Sequence, residues 1–134
     1  MNAVMYIVLN QGLGMSTGKA AAQAAHAAVE AYIASPDNNL KRVWHRGGHY
    51  TKIVLAAKDG EELKTMQHYL FVRDFESELI IDEGRTEIDP FTPTALGCHI
   101  VDKDDAHVRA TFSTFQLYRD PKPAPKTRFQ LYKR

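Results

Sequence analysis

At 134 residues, 44% hydrophobic and 25% charged, the chain has the size and composition of one globular domain with a core of its own. A single cysteine, Cys98, excludes an internal disulfide and a cysteine-rich zinc site, and fits a reducing compartment such as the cytoplasm. The net charge of +1 is unevenly spread: residues 117–134 hold six cations against Asp120 alone, a local +5 that leaves −4 for residues 1–116.

Residues 3–9 form a compact apolar run that suits a strand buried on both faces. The run is too short for a membrane span and has no basic lead-in, so neither a membrane segment nor a signal peptide is expected. An alanine-rich helix is expected from a Thr17 cap to residue 33 or 34. Lys19, Gln23, His26 and Glu30 recur at helical spacing on one narrow face; Ala21, Ala24, Ala25, Ala28 and Tyr32 lie opposite, where small side chains allow a close approach. A lysine in the first turn opposes the helix dipole by about 0.3–1 kcal/mol. It implies either an anionic partner at the helix start or a solvated side chain.

A short helical turn over 40–44 and a break at Gly47-Gly48 come next. Lys41, Arg42, Arg46 and Lys52 alternate there with Trp44, His45, His49 and Tyr50, a mixture compatible with a phosphate backbone and unstacked bases, or with a solvated loop. Residues 51–57 read as a second strand. Asp59 and Glu62 form a capping box for a helix whose apolar stripe is Leu63, Met66 and Leu70. A third strand over 75–81, a polar loop to Pro93 and a fourth strand over 94–101 follow. Asp102 and Asp105 can cap a third helix with Val108 and Phe112 inward. Pro121, Pro123 and Pro125 exclude regular structure beyond it, although residues 129–133 echo 115–119.

This order predicts an α/β domain of three layers, with helices on both faces of a four-stranded mixed sheet, mostly parallel, over residues 1–116. Residues 117–134 are then a basic, proline-containing tail. In such sheets ligands bind beyond the carboxyl ends of strands. The loops 10–19 and 82–93 share that edge, so Lys19 and Asp82 are expected to meet although 63 positions apart.

Several chemistries fail on spacing. Gly14 and Gly18 are too close for a phosphate-binding loop of the nucleotide-hydrolase kind, and Ala20 stands where a hydroxyl should hold magnesium. The six histidines lack metal-motif spacing beyond the loop pair His45 and His49, no cysteine cluster supports them, and no metal or other cofactor is expected. Cys98 reads as a small buried hydrophobe, and no Gly-x-Ser-x-Gly elbow occurs. A carboxylate at a strand end, a lysine at a helix start and the hydroxyls of Thr86 and Thr94 remain. A carboxylate can deprotonate water, a lysine with helix N–H groups can bind a phosphate or oxyanion, and hydroxyls can orient the ester. A structural Lys–Asp ion pair between two loops has the same signature.

The segments Met15-x-x-Gly18-Lys19-x-Ala21-Ala22-Gln23-x-x-His26-Ala27, Asp82-x-Gly84-Arg85-Thr86-x-Ile88 and Thr94-x-Leu96-Gly97 resemble the archaeal and eukaryotic-type (type 2) peptidyl-tRNA hydrolases. The likeness spans residues 3–116. It implies a mixed four-stranded sheet flanked by helices, often a homodimer. It also implies metal-free cleavage, in the cytoplasm, of the ester joining a peptide to the terminal ribose of tRNA. By resemblance Lys19, Asp82, Thr86 and Thr94 are the catalytic positions, and Gln23, His26, Arg85, Gly18 and Gly84 support them or bind substrate. Asp82 would activate water, Thr86 and Thr94 position the ester, and Lys19 hold the terminal phosphate or the oxyanion. Lys41, Arg42, Arg46, Lys52, Lys122, Lys126 and Arg128 are candidate RNA contacts.

The chain departs from the family pattern in four places. Asn10-Gln11-Gly12-Leu13 replaces an Arg-x-Asp-Leu-like sequence, and Ser16-Thr17 replaces a glycine-and-lysine pair. Glu83 stands where a small residue is usual, and the tail lies outside the family domain. The lost charges leave open a second reading, a catalytically weak RNA- or protein-binding module on the same fold.

Overall fold

The structure is a computed structural model and describes residues 1–47, 49–83 and 91–120. The apolar run forms β1 (Ala3–Asn10), and all eight of its residues are buried. A 3-10 turn (Gln11–Leu13) leads to α1 (Thr17–Ala34), capped by Ser16, whose hydroxyl accepts from the Lys19 N–H at 3.2 Å. The cap is therefore one residue earlier than the expected Thr17. Then come α2 (Asn39–Arg46), β2 (Lys52–Ala57) and α3 (Gly60–Val72). Asp59 caps α3 as expected, accepting from Glu62 N–H at 2.8 Å, while the Glu62 carboxylate reaches past Asp59 to Lys58 N–H at 3.3 Å. The remaining elements are β3 (Ser77–Asp82), β4 (Thr92–Cys98), β5 (Val101–Asp102), α4 (Ala106–Phe112, capped by Asp105) and β6 (Gln116–Leu117).

The α/β class holds, but among the described residues the sheet has six strands rather than four. Its order is β3-β4-β1-β2-β6, with β5 also pairing β1. Nor is it mostly parallel. Among the described residues only β1 and β2 run alongside each other in the same direction, and the other four pairings are antiparallel. The two additional strands are two residues long, too short to carry a periodicity. β5 is the continuation of β4 after a break at His99-Ile100, and β6 is the first half of the echoed segment, pairing Gln116 and Leu117 with Ala56 and Leu55. The second half of that echo, and the three prolines, lie outside the described residues.

Helices cover both faces. Odd positions of β1, with Ile80 and Ala95, pack against Ala20, Ala27, Ala31 and Trp44 of α1 and α2. Even positions, with Leu55, Leu96 and Cys98, pack against Leu63, Met66 and Leu70 of α3 and Val108 and Phe112 of α4. The face of α1 that meets the sheet carries Ala20, Gln23, Ala27 and Ala31, whereas Ala21 and Ala25 are exposed. Part of the polar stripe is thus turned inward, contrary to the expected division of faces. Gly97 permits this contact: a Cβ there would lie 2.2 Å from the Ala27 carbonyl oxygen.

Because β1, β2 and β3 share one direction, their carboxyl ends and the start of β4 meet at one edge. Asn10, Asp82 and Thr92–Thr94 all stand there.

Candidate active site

The first turn of α1 brings Lys19 over the end of β3. Its Nζ lies 3.0 Å from Asp82 Oδ1, with side chains 12% and 9% exposed. Two neighbouring turns supply the cation and a polar partner, because Gln23 lies one turn beyond Lys19 on the buried face. The Gln23 Oε1 accepts a hydrogen bond from the Thr94 hydroxyl, which also lies 3.4 Å from the Ile80 carbonyl. Asp82, Lys19, Gln23 and Thr94 therefore form one polar group at the carboxyl edge, and Thr94 is fully buried.

Thr94 reaches this group through a bulge. Ile80 pairs with Ala95 and Ile81 with Pro93, so Thr94 has no partner in β3, and β1 pairing stops at Leu9 and Ala95. Leu96 and Cys98 face α3, and strict alternation would put Thr94 with them. The extra residue turns it to the α1 side instead. A proline beside the bulge is the sequence signal for it, since Pro93 has no N–H to give the ladder.

His26 stands apart. It is 53% exposed and lies 3.8 Å from Glu30 on its own helix. Gly18 is exposed at the helix start, with open space around its α carbon. Thr86, Arg85 and Gly84 lie outside the described residues, as do Lys122, Lys126 and Arg128.

The basic stretch gathers elsewhere. Lys52 opens β2, opposite Met5, about 17 Å along β1 from Asn10. Lys41 donates to the Ser35 carbonyl at 3.0 Å and covers the Tyr32 ring, and Lys52 donates to the Tyr50 carbonyl at 2.8 Å beside the Trp44 ring. Arg42 reaches Asp37 at 3.5 Å, and Arg46 is exposed in the last turn of α2. The two lysines thus hold local structure, while the arginines stand outward.

Among the described residues no three His, Cys, Asp or Glu side chains are gathered as metal ligands, and no helix is long and apolar enough to cross a membrane. Cys98 is 1% exposed, and burial pushes its thiol up to about 12, which suits a small hydrophobe rather than a nucleophile.

What this edge can do is accept a proton at Asp82, hold negative charge at Lys19 and orient an oxygen at Thr94. Residues 3–118 match the family described as "Peptidyl-tRNA hydrolase PTH2". A probable peptidyl-tRNA hydrolase 2 of Schizosaccharomyces pombe is 41% identical over 95 residues, which cover 69% of this chain and 46% of that protein. The chain thus spans about half the length of that relative. Proteins named peptidyl-tRNA hydrolase from Methanopyrus kandleri and Pyrobaculum aerophilum are 39% and 38% identical, over 68% and 72% of this chain and 78% and 82% of theirs. With the matched segment running from the first residue of β1 through β6, the chain belongs to the peptidyl-tRNA hydrolase PTH2 family.

Proposed function

We propose that this protein hydrolyses the ester between a peptide, or an N-blocked aminoacyl group, and the 3′-terminal ribose of tRNA. The observation that carries the reading is the 3.0 Å Lys19–Asp82 pair at the carboxyl edge of the sheet, in a chain of this family. Asp82 takes a proton from water as its oxygen attacks the ester carbonyl carbon. Negative charge then grows on the carbonyl oxygen. An ammonium has three donors, and Lys19 uses one on Asp82, so the others point charge and hydrogen at that oxygen or at the terminal phosphate. The start of α1 adds its dipole. Collapse breaks the bond to the ribose oxygen, which takes the proton back from Asp82. The Thr94 hydrogen is given to Gln23, so toward the ester its buried oxygen acts as an acceptor. Thr86 is the second hydroxyl in this scheme, with Arg85, Gly84, Gly18 and His26 as support.

The RNA contacts belong to the same proposal. Lys41, Arg42, Arg46 and Lys52 would meet phosphates away from the reacting end, and Lys122, Lys126 and Arg128 would add further cations from a 117–134 tail. A homodimer acting in the cytoplasm completes it; analytical ultracentrifugation checks the dimer. Purified protein is expected to release peptide from peptidyl-tRNA, and Asp82→Asn to bind tRNA without releasing it. Binding without turnover by the unaltered protein would instead support the binding-module reading.

A further inference from the structure

We infer that Asn10 is a positioning residue for Thr94, a role that rests on the hydrolase reading above. Asn10 ends β1 and is 2% exposed, on the α3 side of the sheet. Its Nδ2 donates to the Pro93 carbonyl at 2.9 Å. In an unbroken antiparallel ladder the residue opposite Asn10 would be Thr94, but the pairing ends one step earlier at Leu9 and Ala95. The bulge therefore removes a backbone partner where β1 and β4 meet, and the Asn10 side chain supplies one in its place.

The consequence follows from peptide planarity. The Pro93 carbonyl and the Thr94 N–H belong to one planar unit and point opposite ways. Holding the carbonyl toward α3 fixes the plane that precedes Thr94, and with it the side on which the Thr94 hydroxyl emerges. That side is the one where Gln23 waits. Proline suits the position because it asks for no bond through its missing N–H.

The amide has a definite orientation. A carbonyl only accepts, so the nitrogen end of Asn10 faces it, and the oxygen end is left buried with no hydrogen-bond partner among the described residues. An orphaned buried oxygen is costly, so what the amide contributes here is its donor. This chain carries Asn10 where the family resemblance implied arginine, and the device is its own solution at that strand end.

Asn10→Leu keeps the branching and approximate volume while removing the donor. It is expected to lower kcat about tenfold with KM nearly unchanged, the equivalent of one lost hydrogen bond of about 1.4 kcal/mol in the transition state. Thr94→Val and the double variant are expected to share one kcat, because Asn10 acts through that hydroxyl. Unchanged kcat in Asn10→Leu, or losses that multiply in the double variant, would overturn the role. A crystal structure of Asn10→Leu, or of Asn10→Asp if leucine does not fold, reads the geometry without turnover. Thr94 displaced from Gln23 supports the inference, and Thr94 still bonded to Gln23 overturns it. If the unaltered protein cleaves no peptidyl-tRNA, the hydrolase reading fails alone and this structural readout still decides Asn10.

Discussion

Replacing Asp82 by asparagine tests both the stability and the chemistry of the carboxyl edge. At 3.0 Å and an effective dielectric near 20, two unit charges attract by about 5–6 kcal/mol. Desolvation offsets several kcal/mol per ion, because the side chains are only 12% and 9% exposed, so the pair as a whole is worth little. Removing one partner is different. The remaining charge stays buried without its counter-ion, at a cost of about 3 kcal/mol, the low end of the range for broken buried pairs. For 134 residues this corresponds to a melting temperature lower by about 10 °C. Lys19→Met should also destabilise, because the Asp82 carboxylate loses its ammonium partner at 3.0 Å. Lys19→Met combined with Asp82→Asn should recover most of the loss and lie within about 1 kcal/mol of the unaltered protein. Turnover behaves otherwise: Asp82→Asn should lower kcat by about 10²–10⁴, and the stability-restored double variant should stay slow. Urea denaturation and peptide release from peptidyl-tRNA measure the two quantities separately. Single losses that simply add in the double variant would refute the buried-pair energetics. Normal turnover in Asp82→Asn would refute the assignment of the base.

Three other outcomes are expected. Gly97→Ala pushes a Cβ to 2.2 Å from the Ala27 carbonyl oxygen and should destabilise the protein by about 3 kcal/mol in a denaturant titration, since backbone must give way. Ending the chain after Asp120 removes Lys122, Lys126 and Arg128. If each meets a phosphate, the slope of log affinity for tRNA against log salt should become shallower by about 2–3, and an unchanged slope would count against the tail as an RNA contact. With its thiol raised to about 12, Cys98 should react with a thiol reagent at pH 8 only as fast as the protein unfolds; rapid labelling of the native protein would contradict its burial.

The broad organisation was legible because it rests on strong local patterns. A seven-residue apolar run without alternation reads as a central strand, and every residue of β1 is buried. Asp59 reads as a cap and caps α3. The meeting of Lys19 and Asp82 followed from topology alone, since strands that point the same way put their following loops on one edge. The orientation of α1 was not legible. A helix made largely of alanine has nearly the same apolarity all round, so its pattern does not say which face turns inward. Gly97, 70 positions later than Ala27, accepts that face, and Asp82 and Thr94 draw Lys19 and Gln23 toward it. His26 shares the polar spacing yet ends beside Glu30 at the surface.

What the sequence determines by itself is everything carried by short-range periodicity, capping chemistry and motif: the existence and order of the longer elements, the apolar centre at β1, the family likeness and the pair Lys19 and Asp82. What only the tertiary structure decided is the reversed direction of β4, the two-residue strands that enlarge the sheet, and the face on which Thr94 emerges. Strand direction depends on which neighbour completes the backbone hydrogen bonds, and local sequence is silent on the neighbour. A bulge moves one side chain across the sheet by breaking the alternation that a sequence reading assumes. At this edge the Asn10 amide reaches from the end of one strand to the carbonyl of Pro93 in the next.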